Sequence, residues 1–218
     1  MKKIMFNDEF RLTQAVLDGR KTMTRRICKY DRPDESWDIV FPVFESKDYD
    51  SKGNLISPLL GAFGWKNKDG DFTGWNNPLY KVGEIVAIAQ SYESVYNEKG
   101  LETMDMLVSW LKNHKGWQNK LFVAAGYMIH HIRITDIKIE RLQDISDEDC
   151  LKEGIYRLDS ANGNGGIAYS FVGASDKKHI GLYNTPRDAF EFLINKVSGK
   201  GTWESNPFVF AYEFKLID

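Results

Sequence analysis

Cysteine is scarce in this 218-residue chain: Cys28 and Cys150 lie far apart and form no CxxC pair. That excludes a disulfide scaffold and a cysteine-based metal knuckle; both are expected to be small packing residues in a reducing, cytoplasmic setting. Long apolar runs are absent, and no stretch reaches the roughly 20 residues that cross a bilayer. The start, MKKIMFNDEF, turns polar at Asn7, Asp8 and Glu9, so no secretory leader and no membrane partner are expected. Excess charge of either sign is lacking too, with 29 Lys and Arg against 31 Asp and Glu and a pI near 6.1. A broad duplex-DNA surface, which depends on many basic contacts to phosphate, is therefore not expected. Neither internal repeats nor low-complexity linkers divide the chain.

Against that balance stands one dense basic stretch, GRKTMTRR, residues 19–26, where Arg20, Lys21, Arg25 and Arg26 crowd around Thr22 and Thr24. Before it, EFRLTQAVLD (9–18) has a loosely amphipathic pattern and predicts a helix that Gly19 ends. TMTRRI then reads as a strand, which leaves Lys21 in the connection. Residues 83–94, GEIVAIAQSYES, predict another strand, and the alternation of MIHHIRITDIKIERL predicts a long one. Ser146 with Asp149 opens a helix that Gly154 closes, Pro186 starts a helix over 186–197, and NPFVFAYEFKLI forms the last strand. Between these lie irregular stretches at about 31–80, 95–126 and 156–185. The first holds a hairpin signal at Asp69-Gly70, the second an amphipathic helix around MDMLVSWLKNH. Strands without regular βαβ alternation predict an α+β, mostly β domain spanning 1–218, a small, mostly antiparallel β-barrel with peripheral helices and long irregular insertions.

The blocks VLDGRKTMTRR, VGEIVAIAQSYE, IRITDIKIERLQDISDEDCLKEGI and DAFEFLINKVSGKGTWESNPFVFAYEFKLI together resemble an ASCH-domain protein of the longer type found in bacteria and phages. That resemblance implies a PUA-like β-barrel whose cleft binds RNA or nucleoside-like ligands. A short bacterial branch of the family comprises amidohydrolases that deacetylate N4-acetylcytidine, using a Lys and a Thr of the GRKTxT motif and a Glu at the end of the helix after the central strand. By position these are Lys21, Thr24 and Glu153. This chain departs from the branch in its length and in Arg25-Arg26, where the short enzymes have an aliphatic residue and one Arg.

Amide hydrolysis needs a nucleophile, a proton acceptor and a stabiliser of the oxyanion. Thr24 would supply the hydroxyl, Lys21 the base or electrophile, and Glu153 the group that positions either. In direct contact with Glu153, Lys21 is expected to stay a cation. A regular strand puts Lys21 and Thr24 on opposite faces, so they meet only if the backbone bends; Thr22 is the alternative hydroxyl. A carboxylate in the last turn of a helix also asks for a cationic partner.

Two readings of the basic cluster stay open: ion pairing with nearby acids, or a cleft that offers Arg20, Arg25 or Arg26 to a phosphate or base edge, with Tyr92 and Glu93 at its border. The partner would be a nucleoside or single-stranded RNA, bound with or without turnover; a vestigial pocket in an interaction module is the remaining alternative. His130 and His131, adjacent in a strand, point to opposite faces, so no metal site is expected, and no cofactor.

Overall fold

Two long strands of alternating apolar residues run antiparallel through the middle of the molecule and organise the rest. The computed structural model describes residues 1–30, 32–99, 105–159, 166–171 and 181–218, with backbone alone for 105–108. In chain order the elements are β1 (Lys3–Ile4), α1 (Leu12–Leu17), β2 (Met23–Ile27), β3 (Asp38–Val40), β4 (Gly64–Lys66), β5 (Ile85–Ile88), α2 (Tyr92–Lys99) and α3 (Asp105–Lys112). There follow β6 (His131–Arg141), α4 (Asp147–Lys152), β7 (Tyr156–Asp159), β8 (Ile167–Ser170), α5 (Pro186–Ser198), α6 (Thr202–Ser205) and β9 (Phe208–Leu216).

Five strands form one mixed sheet in the order β1-β5-β6-β9-β2. Only the β1–β5 pair is parallel. In β6 Ile132 and Ile134 are fully buried, as period-two alternation requires, whereas in β9 the successive residues 209–212 are all buried, together with Phe214. The architecture is α+β, but two parts of the expectation need correction. Among the described residues the sheet is open, with β1 and β2 at its edges, and does not close into a barrel, and helix and strand residues are about equally numerous, which does not make the domain mostly β. The N-terminal residues join the sheet by parallel pairing, which removes the simple antiparallel meander from which a barrel would be built.

Local chemistry explains the shifted boundaries. The Asn7 side chain accepts the Phe10 N–H at 3.2 Å and Arg11 takes φ 52°, so α1 starts at Leu12 rather than at residue 9. The Ser91 hydroxyl accepts the Ser94 N–H at 3.0 Å, which opens α2 and cuts short the strand expected over 83–94. Other elements lie where their signals put them: Ser146 caps α4 by accepting the Asp149 N–H at 3.1 Å, and Thr185 caps α5 by accepting the Asp188 N–H at 3.1 Å.

The stretch 31–80 is not a detached insertion. β3 and β4 pair with each other, and Phe63 and Trp65 are buried, with ring centroids 5.7 Å from Phe210 and 5.1 Å from Phe208. The Asp69-Gly70 turn is present with Gly70 at φ +94°, but beyond it two isolated bridges, Lys66 to Phe72 and Phe63 to Asn76, replace the second regular strand. In 156–185, expected as loop, β7 and β8 form a two-stranded ladder; residues 160–165 and 172–180 lie outside the described residues. No helix among the described residues is long and apolar enough to cross a membrane.

Candidate functional site

Gly19, at φ +70°, turns the chain back so that the N–H groups of Arg20 and Lys21 both donate to the Ala15 carbonyl, at 2.9 and 2.8 Å. Thr22 N–H then donates to the Lys152 carbonyl at 2.9 Å, and regular pairing begins only at Met23. Lys21 therefore sits before the strand, where alternation of faces does not apply. The second segment arrives by α4, whose last turn holds Glu153 through a 2.9 Å bond from its N–H to the Asp149 carbonyl. Gly154 follows at φ +102°; a Cβ there would lie 3.5 Å from Lys21 Cβ, so this backbone rests against the lysine stem.

The two segments meet in a direct ion pair. Lys21 Nζ donates to Glu153 Oε2 at 2.5 Å and to the Glu153 carbonyl at 2.8 Å, and the two residues are only 2% and 4% exposed. Arg25 occupies the other carboxylate oxygen, donating from Nη1 to Glu153 Oε1 at 3.2 Å. Its Nε and Nη2 donate to Glu140 Oε1 at 2.9 and 2.6 Å, and Nη2 also reaches Asp149 Oδ2 at 2.9 Å. For Arg25 the ion-pairing reading therefore holds. Arg26 differs: Nη2 donates to the Met5 carbonyl at 2.5 Å, the guanidinium lies 5.8 Å from the Phe6 ring centroid, and Nε is sealed from solvent with no acceptor.

These groups border one cavity of about 850 Å³, lined by Lys21, Thr24, Arg25, Arg26 and Glu153 together with Phe6, Tyr30, Tyr80 and Tyr212. Leu193, Ile194 and Val197 of α5 give it an apolar wall. The volume suits a small organic ligand. Thr24 and Arg26 point into it from the same face of β2, two residues apart. Among the described residues nothing pairs with the Thr24 hydroxyl.

Burial pushes the Lys21 ammonium below its ordinary range; the Glu153 carboxylate opposes this, while Arg26 and Arg25 add to it. The expectation of a persistent cation set contact with Glu153 against the neighbouring arginines and left out burial, which acts in the direction of the arginines. Arg25 is also disfavoured by burial, but Glu153 and Glu140 outweigh that and raise its pKa. Burial lowers Arg26. Burial also pushes the Tyr212 phenol and the Cys150 thiol each up to about 12, the latter in keeping with a packing role.

Four residues expected at the site lie elsewhere. Arg20 pairs with Asp18 at 3.0 Å and lies over the Tyr156 ring, outside the cavity lining. Thr22 is held by its backbone, its carbonyl accepting the Phe214 N–H at 2.8 Å, and does not line the cavity, so Thr24 is the hydroxyl that does. Tyr92 and Glu93 begin α2: Tyr92 packs 5.5 Å from His114 and 5.7 Å from Tyr127, and Glu93 N–H donates to the Trp117 carbonyl at 3.0 Å. The aromatic lining comes instead from Phe6, Tyr30, Tyr80, Phe190, Phe210 and Tyr212. Phe210 and Tyr212 had a usable signal, since alternation in FVFAYEF puts them on one face; the position of Tyr212 opposite Thr24 depends on the strand register. His130 and His131 have separate partners, Glu98 at 2.5 Å and Asp218 at 2.6 Å, and no group of three metal-binding side chains occurs among the described residues.

Comparison of the chain with family models, curated proteins and solved structures gave no match.

Proposed function

We propose that this cavity binds an N-acylated nucleoside of the N4-acetylcytidine kind and hydrolyses its amide, and that the chain is an elaborated ASCH-type, PUA-related domain with an opened sheet. The observation that carries the reading is convergence: Lys21 and Glu153, 132 positions apart, pair at the border of the cavity that Thr24 also lines.

In this mechanism the Thr24 oxygen attacks the acyl carbon and its proton passes to the neutral Lys21 amine. Lys21 returns that proton to the departing ring amine as the C–N bond breaks, and water then frees the acyl group from Thr24. Glu153 fixes the amine through its 2.5 Å bond, and the downward shift of Lys21 is the direction a base needs.

The test is loss of the N4-acetylcytidine absorbance on incubation with the protein. Turnover is expected, lowered about 10²–10⁴-fold in Lys21→Ala; no turnover at high protein concentration removes the enzymatic reading for this substrate. A second reading, a non-catalytic module for nucleosides or single-stranded RNA, is favoured by the occupancy of both Glu153 oxygens, as in a structural ion pair. Binding of cytidine or short RNA without turnover is its signature.

A further inference from the structure

We propose that Arg26, with Lys29 at the rim, forms a phosphate subsite, so that the ligand of this cavity is a nucleotide rather than a neutral nucleoside. The proposal rests on the nucleoside reading above.

Its basis is the uneven pairing of the four motif cations. Arg20 pairs with Asp18, Lys21 with Glu153, and Arg25 with Glu140, Asp149 and Glu153. Among the described residues Arg26 has no carboxylate partner: Nη2 meets only the Met5 carbonyl, Nε is buried without an acceptor, and no group accepts from Nη1. Glu153 acts on Arg26 only at a distance, with both its oxygens taken by Lys21 and Arg25, so the sealed Nε is left uncompensated at a cost that an anion brought into the cavity relieves. The planar fork of arginine matches phosphate geometry. Among the lysines on the same border, Lys2 is held by the Leu79 carbonyl and Glu84, and Lys3 by three backbone carbonyls. Lys29 is exposed and has no partner among the described residues, so it is free to meet a second phosphate oxygen. Two residues from Arg26, Thr24 faces the same space, which puts the phosphate and the reacting group of one ligand within a single cavity.

Calorimetric titration of the full chain with cytidine, cytidine 5′-monophosphate and a cytidine trinucleotide tests this. The monophosphate is expected to bind at least about tenfold tighter than cytidine, the size of one hydrogen bond to a charged group. That ratio should collapse in Arg26→Gln and survive in part in Arg26→Lys. A gain seen for the trinucleotide but not the monophosphate would assign the subsite to a phosphodiester of RNA. Should Arg26→Gln not fold, the exposed Lys29→Gln is expected to lower the same ratio and to weaken its salt dependence. Equal affinity for all three ligands overturns the subsite and leaves the nucleoside site standing; no binding of any overturns both.

Discussion

Arg25 and Arg26 share a backbone and almost nothing else. Arg25 is paired with three carboxylates and Arg26, among the described residues, with none, because adjacent strand residues face opposite ways. Removing Arg25 leaves Glu153, Asp149 and Glu140 facing one another with a missing cation. Arg25→Met is therefore expected to cost about 3–5 kcal/mol in urea denaturation, with part recovered by a second change, Glu140→Gln. The same cluster sets the proton affinity of Lys21, which Glu153 raises and Arg25 lowers. If Lys21 is the base, the rate rises with pH through its pKa. Glu153→Gln should then move that rising limb to lower pH and Arg25→Met to higher pH, both read from rate profiles; limbs that stay in place would remove Lys21 as the base. The basic motif was legible in the sequence, but which arginine was paired was not, since Glu140 and Asp149 carry no mark that distinguishes them from the other acids.

At the scale of elements, two caps place the reactive groups. Ser146 holds the first turn of α4, and its replacement by Ala should cost about 1 kcal/mol of stability. Gly154 ends the approach to Lys21 at φ +102°, where a Cβ is strained although space exists for it. Gly154→Ala should cost about 1–2 kcal/mol and loosen the Lys21–Glu153 pair, seen as weaker cytidine binding beside a modest drop in melting temperature. Ser146, Gly154 and Pro186 were all readable because capping is local chemistry. Ser91 is the instructive failure: the apolar run ahead of it suggested a longer strand, while its hydroxyl started a helix and carried Tyr92 and Glu93 away from the cavity.

For the molecule as a whole, the irregular stretch 31–80 shares the main core through Phe63 and Trp65. Trp65→Ala is expected to destabilise the protein by about 3–5 kcal/mol within a single cooperative transition; a separate early transition would show that the stretch folds apart from the sheet. Tyr212 ties the cavity floor to alkaline stability. Its phenol is raised from 10.0 to about 12, so between those values the native state keeps a proton that the unfolded state has lost. Stability therefore falls as pH rises through that window, and Tyr212→Phe should flatten this part of the curve.

Periodicity and caps, which act over a few residues, determined from sequence alone the long strands β6 and β9, the helices α4 and α5, and the break at Gly19 that keeps Lys21 out of the strand. Only the tertiary structure decided that the sheet stays open, that residues 31–80 belong to the core, and that Tyr212 rather than Tyr92 borders the cavity. Those outcomes depend on strand register and on parallel pairing of the N-terminal residues, contacts between positions far apart in the chain that no local pattern encodes.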